Sequence, residues 1–364
     1  MAGDNFLTLG ASFDQQNQTI DTARQTLAGP ALPPDFTATL LGRQQTLAGY
    51  ATYQFDTGDW TWLPGVRGED YRREVVSSGI ESDSADLDWF PSLHVRRALS
   101  PEINLDVSYS RRVQRPPFQL LDPALRFTDV NRASSGNPNL DPTLTDAYEA
   151  NLNYQKNGRS IALTFYDRIS DDIVSPFTQV LASGVILTTQ VNAGTSEQRG
   201  LQALLRGPLG AHWRYSLSAN VLNREFDFLS GGITSRRNEI EYDGLAQLDY
   251  RDVNQDRDGA NQFQIELRFQ GPRHTLQSDA DEFIVANFTW RRRLTPKLFG
   301  VLLAQDIFAT QDNVNEVFTD LYRERTEFSS TGARVRFALT YQFGAGPARP
   351  PPDQGPQAPP IPIQ

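Results

Sequence analysis

Ten residues near the C-terminus, Arg334 to Phe343 (RVRFALTYQF), constrain the fold more than any other stretch. Val335, Phe337, Leu339, Tyr341 and Phe343 share one face, and Arg334, Arg336, Ala338, Thr340 and Gln342 share the other. Side chains alternate across a strand, so this is a strand with one apolar and one polar face, ending on an aromatic. About nine to eleven such residues carry a tilted strand across a bilayer.

The pattern recurs along the chain. Leu7, Leu9, Ala11 and Phe13 alternate with small polar residues, as do Leu47, Gly49, Ala51, Tyr53 and Phe55. Ile103, Leu105, Val107 and Tyr109 form the cleanest face of the first half, followed by Tyr148 to Tyr154 and Ile161 to Phe165. The second half repeats it at Leu201–Leu205, Trp213–Val221, Ala246–Tyr250, Phe263–Phe269, Ile284–Trp290 and Leu298–Phe308. About fourteen strands result, an even number as bacterial barrels require. Short connections (57–59, 99–102, 156–158, 207–211, 294–297) alternate with long polar ones (14–43, 115–144, 170–187, 309–333), and Lys156-Asn157-Gly158 reads as a hairpin turn. Short periplasmic turns opposite long external loops are the arrangement of an antiparallel transmembrane β-barrel. Polar faces such as Gln262, Gln264, Glu266, Arg268 and Gln270 suit a wet lumen better than a dry core. Trp60, Trp62, Trp213, Tyr154 and Phe343 stand near strand ends, where an interfacial girdle belongs; cross-strand packing on a soluble sheet is the alternative.

Composition removes competing classes. The 364 residues have a mean hydropathy of −0.48 and contain no run of about eighteen apolar residues, which excludes helical spans. Cysteine is absent, so disulfides and thiolate chemistry are excluded. A net charge of −10 without a basic stripe argues against nucleic acid. The start, MAGDNFLTLGAS, shows no secretory signal, and the expectation is a fragment of a longer exported protein. The expected domains are a barrel at 1–343 and a Pro-rich, disordered periplasmic tail at 344–364.

No chemical motif stands out. His94, His212 and His274 lack paired ligand spacing, and neither a metal nor a cofactor is expected. Asp252 to Gly259 resembles a calcium loop, but Ile265 occupies the position of the bidentate Glu, so a solvated turn is the better reading. Phosphate-cradling, GxSxG and HExxH patterns are absent, and no enzyme is expected.

Ser110-Arg111-Arg112-Val113-Gln114-Arg115-Pro116, then Leu121-Asp122-Pro123 and Gly136-Asn137-Pro138-Asn139-Leu140-Asp141-Pro142, closely resemble a stretch of TonB-dependent receptor barrels. Leu63-Pro64-Gly65-Val66-Arg67, Phe90-Pro91-Ser92-Leu93, Tyr166–Val174, Asn192-Ala193-Gly194 with Gly200, and the terminal LTYQF fit in order, from about Thr46 to Phe343. Such receptors hold an N-terminal plug inside a barrel of about twenty-two strands. This chain resembles the C-terminal part of one, without the plug. The resemblance implies a bacterial outer-membrane location and uptake of a scarce nutrient, a ferric siderophore or a carbohydrate. It also implies several partners: outer-membrane lipid, the barrel assembly machinery acting through the strand ending at Phe343, and the TonB energy-coupling system if a plug is supplied. A plug-free, porin-like or scaffold barrel and a soluble β-sandwich are the alternatives. By parity His94, Arg112, Glu266, Arg268 and Arg336 face inward. With Arg115 and Asn137 on the loop they are the candidates for contact with ligand or plug, against a plain solvated wall and a stiffened loop.

Overall fold

The computed structural model describes residues 5–343 apart from 26, 28–34, 231–232, 256, 320 and 330–331. The tail at 344–364 and the breakers Gly29-Pro30 and Pro33-Pro34 lie outside the described residues. In chain order the elements are β1 (Phe6–Arg24), β2 (Phe36–Thr57), β3 (Trp60–Ser77), β4 (Ile80–Ser100), β5 (Ile103–Gln114), α1 (Phe118–Leu121), β6 (Arg126–Asp129), β7 (Arg132–Ser134), β8 (Thr143–Lys156), β9 (Arg159–Asp171), β10 (Val174–Val180) and β11 (Ile186–Asn192). They continue with β12 (Thr195–Leu209), β13 (Trp213–Ser230), β14 (Ile233–Arg251), β15 (Asn261–Gln270), β16 (Arg273–His274), β17 (Ser278–Ala280), β18 (Phe283–Thr295), β19 (Leu298–Gln305), β20 (Asn313–Phe318), β21 (Arg323–Phe328) and β22 (Arg334–Tyr341).

Fourteen strands form one antiparallel sheet in the order β1-β2-β3-β4-β5-β8-β9-β12-β13-β14-β15-β18-β19-β22. The remaining strands belong to the long connections and build two further four-stranded sheets, β10-β11-β7-β6 and β16-β17-β20-β21. Among the described residues β1 and β22 pair on one side only, so the large sheet is open.

Directly paired residues share a face, and the registers carry the expected apolar face from strand to strand. Leu7 pairs with Tyr53, Ala51 with Val66, Val95 with Val107, Ala150 with Phe165, Leu201 with Val221, Leu248 with Ile265 and Leu302 with Phe337. The opposite face is mainly polar, with apolar residues such as Leu63, Leu245, Val285 and Leu303 set among the polar ones. At the short-turn end the apolar face closes on an aromatic belt. Phe55 stacks on Trp62, Trp213 meets Tyr250 edge-on at 4.9 Å, Phe263 stacks on Trp290, and Tyr341 meets Phe343. Such pairs contribute about 0.5–1.5 kcal/mol each beyond burial.

One connection differs from expectation. The polar stretch 14–43 is largely strand, because β1 and β2 stay in register up to Arg24↔Phe36. Polar cross-strand pairs hold that ladder where apolar residues end: Gln45 donates to Gln15 at 2.9 Å, Gln44 to Gln16 at 2.7 Å and Thr39 to Asp21 at 2.7 Å. The β3–β4 hairpin likewise runs past the apolar band to Ser78 and Gly79, both at positive φ (53° and 78°), as a two-residue hairpin turn demands.

Candidate functional site

The connection between β5 and β8 folds onto the polar face of β2 and β3. Odd residues of β3 from Glu69 to Ser77 lie on that face and are buried. Leu40, Val75, Phe118, Leu121 and Leu140 form an apolar cluster beneath the connection, each worth about 1.5–3 kcal/mol when fully buried. Several polar groups around it are paired, although among the described residues the Nε atoms of Arg73, Arg115 and Arg126 are buried without a hydrogen-bond partner. Buried Arg73 donates to the carbonyls of Leu140 (3.1 Å) and Pro138 (3.2 Å), and Arg115 donates to Glu69 at 2.8 Å while lying over the Tyr71 ring. Glu69 also accepts from Arg67 at 2.6 Å. Asp122, 1% exposed, accepts from Ser77 at 2.8 Å and from the Ala124 amide at 3.1 Å, and it pairs with Arg126.

These contacts explain the motif residues. Gly136 passes so close to the Leu120 carbonyl and Asp122 amide that a Cβ would collide with backbone. Its own N–H donates to the Asp122 carbonyl at 2.7 Å. The Asn137 side chain accepts from the Asn139 amide at 3.0 Å and donates to the Gln190 carbonyl at 3.1 Å, which ties this connection to the next.

The next connection packs Ala193, Ile173 and Val191 against Phe226 and Phe228 of β13, with Leu276 from the β15–β18 connection. Beside it, Arg237 donates to Asp279 at 2.9 Å, and His274 Nδ1 lies 2.8 Å from the same carboxylate. Burial alone would raise the Asp279 pKa, but the hydrogen bonds from His274 and Arg237 outweigh it and hold the carboxyl below its ordinary value. Among the described residues, two hydrogen-bonded ties join the connection sheets to each other. Gln277 grips Thr178, accepting from its amide at 2.6 Å and donating to its carbonyl at 3.1 Å. Arg132 donates to both carboxylate oxygens of Glu324, at 2.7 and 2.9 Å. The long connections are therefore one interlocked cap over the polar face.

The residues singled out from sequence occupy separate places. His94 lies opposite Leu63 and Ser108, Arg112 opposite Thr145, Glu266 between Gln247 and Asn287, Arg268 between Leu245 and Val285, and Arg336 opposite Leu303. All five are on the polar face, dispersed over β4, β5, β15 and β22. Arg115 and Asn137 sit in the cap and spend hydrogen bonds within the protein. Sequence reasoning did not reach Glu69, Tyr71, Arg73, Gln277 or Asp279. The signal within reach was the odd-position run Glu69, Tyr71, Arg73, Val75, Ser77, whose apolar members have no place on a wet wall unless something covers them. At the resembled calcium loop, Asp252 accepts from the Asn261 amide at 2.7 Å and from Tyr250 at 2.8 Å, which holds its pKa down and closes the turn. Asp256 of that loop lies outside the described residues, and among those described no cluster of His, Cys, Asp and Glu could hold a metal.

An apolar band ringed by aromatics, a wet opposite face, short turns at one end and structured connections at the other define an outer-membrane β-barrel wall. The chain belongs to the outer membrane protein beta-barrel family, whose model matches residues 7–341, and it is a protein of the bacterial outer membrane. Among solved structures it is similar to the ferric yersiniabactin uptake receptor FyuA from Yersinia pestis (TM-score 0.64, 12% identity, 94% of this chain and 52% of that one). It is also similar to the ferric-catecholate import receptor Fiu from K12 E. coli (TM-score 0.61, 14% identity, 93% and 52%). A third is the FrpB iron transporter, F5-1 variant, from Neisseria meningitidis (TM-score 0.56, 13% identity, 92% and 56%). At these identities the likeness is one of fold, and the chain spans about half the length of these structures. No curated protein sequence matches it.

Proposed function

We propose that this chain supplies the wall and external cap of a TonB-dependent receptor that takes up a scarce nutrient, a ferric siderophore or a carbohydrate. The observation that carries this reading is the cap: several connections interlock over a polar face, as capture of a ligand at the mouth requires. The motifs shared with receptor barrels and the fold likeness to FyuA, Fiu and FrpB support it. No catalytic step is assigned.

The open edges of β1 and β22 present unpaired backbone groups, which hydrocarbon does not tolerate. Further strands adjoin them in this reading, and a plug supplied with those strands would provide gating and the TonB contact. The apolar band meets lipid, and the assembly machinery engages β22 near Phe343. Nutrient choice lies with the cap.

The test is binding of ferric chelates and oligosaccharides to cells displaying this chain, together with conductance of the refolded chain in planar bilayers. Retention of one ligand class without accumulation, and without steady conductance, is expected. Steady conductance would favour a plug-free, porin-like barrel instead, and failure to retain any ligand would overturn the receptor reading.

A further inference from the structure

Arginines on the polar face fall into two groups. Most of those beneath the cap have a carboxylate partner: Arg67 and Arg115 have Glu69, Arg168 has Glu149, Arg224 has Glu241 and Arg237 has Asp279, while Arg73 is met by carbonyls. Most of those nearer the short turns from β12 to β22 do not, Arg293 with Asp258 at 3.5 Å being an exception. The registers place Arg206, Arg214, Arg251, Arg268, Arg291 and Arg336 on the polar face, and among the described residues none has a carboxylate within 4.0 Å. Arg251 and Arg291 flank Gln262, one on each neighbouring strand.

Carboxylates in this sector have other partners, Asp243 accepting from Asn220 at 3.4 Å. Asp249 accepts from Gln247 at 2.9 Å, and Glu266 accepts from Asn287 at 3.3 Å. The sector is therefore net positive in a chain whose total charge is −10. It also has a receptacle. Arg251, Arg291, Gln262, Gln264 and Gln342 line a cavity of about 430 Å³ at the short-turn end, together with one carboxylate, Asp249. That size falls within the range of small-molecule sites. The Arg291 guanidinium lies 4.8 Å from the Phe299 ring centroid, a cation–π contact that helps hold it in place. A guanidinium matches the two oxygens of a carboxylate or phosphate, and glutamine amides beside it add neutral donors.

We infer that this sector is a binding site for a small polyanion bearing several carboxylate or phosphate groups, seated against Arg251 and Arg291. The inference rests on the receptor-wall reading only in that it names the charge class of a solute passing that wall. Binding itself needs no uptake.

The experiment is isothermal titration calorimetry of the refolded full chain in uncharged detergent. Citrate, inorganic phosphate, maltose and polyglutamate are titrated separately. Citrate or phosphate should bind, the better of them identifying the group preferred, with affinity falling as salt screens the arginines. Arg251→Gln with Arg291→Gln should weaken binding by at least about ten-fold, as loss of charged bidentate contacts would. Arg72→Gln, on the apolar face, should leave binding unchanged. If the double variant fails to give a folded, heat-shifted band, Arg291→Lys replaces it; loss of the fork with retention of charge should still weaken binding severalfold. Equal binding by wild type and variants overturns the inference, as does a folded wild type that binds neither anion. Binding of polyglutamate alone would overturn it in favour of an acidic protein segment. Maltose binding without anion binding would overturn it while leaving nutrient uptake intact.

Discussion

Buried charge at the cap is the residue-scale feature with the sharpest consequences. Arg73 meets two loop carbonyls at once, and its removal leaves the Leu140 carbonyl without that donor while the Pro138 carbonyl keeps the Ser82 hydroxyl at 3.0 Å. Arg73→Ala should cost about 1–3 kcal/mol and release the β5–β8 connection, seen as a lower urea midpoint with early proteolytic cleavage between Arg115 and Asp141. Unchanged cleavage would mean that the apolar cluster holds the connection unaided. Asp279 gives a pH dependence whose sign follows from its lowered pKa. Its contribution is complete above the ordinary carboxylate pKa and is lost as pH falls through the lowered folded value. Hydrogen exchange in residues 271–282 should therefore stay slow at mildly acidic pH and rise only in strong acid. A rise already at mildly acidic pH would assign the tie to another group. Little of this was legible beforehand. Arg115 and Asn137 stand out in sequence as loop residues, but Glu69 and Tyr71 are distant in sequence from them, and only folding brings them together.

Strands and turns are the elements the sequence shows best, because alternation and turn chemistry are local. Asn157-Gly158 reads as a hairpin turn, and the structure gives both residues positive φ, 51° and 73°. Gly158→Val should cost about 1–2 kcal/mol, since left-handed backbone disfavours a β-branched residue. Gly49→Ala, mid-strand with open space around its Cβ, should be neutral or slightly stabilising. Heat-modifiability on gels after refolding in graded urea separates the two, and equal midpoints would contradict the turn assignment. The limits of strands were less legible. Apolar alternation stops at Phe13, yet β1 continues to Arg24 on glutamine and threonine pairs, so periodicity marks the membrane-crossing part of a strand and not its end.

At the scale of the molecule, the question is whether the cap moves as one body. Among the described residues, Gln277 with Thr178 and Arg132 with Glu324 tie its two sheets together. In the double variant Gln277→Ala, Glu324→Ala, amide exchange should rise by about ten-fold or more in both 174–192 and 313–328, consistent with loss of one charged and one neutral tie. A rise confined to the segments carrying the substitutions would show that the connections move independently. The sequence by itself determined the two-faced strands, their antiparallel succession, the alternation of short and long connections and the outer-membrane class, because each rests on residues two apart or on neighbouring segments. Which connections pair with one another, which arginines find carboxylates and which stay uncompensated beside a cavity were decided by the tertiary structure alone. Those facts depend on contacts such as Arg132–Glu324, between residues that no local pattern relates.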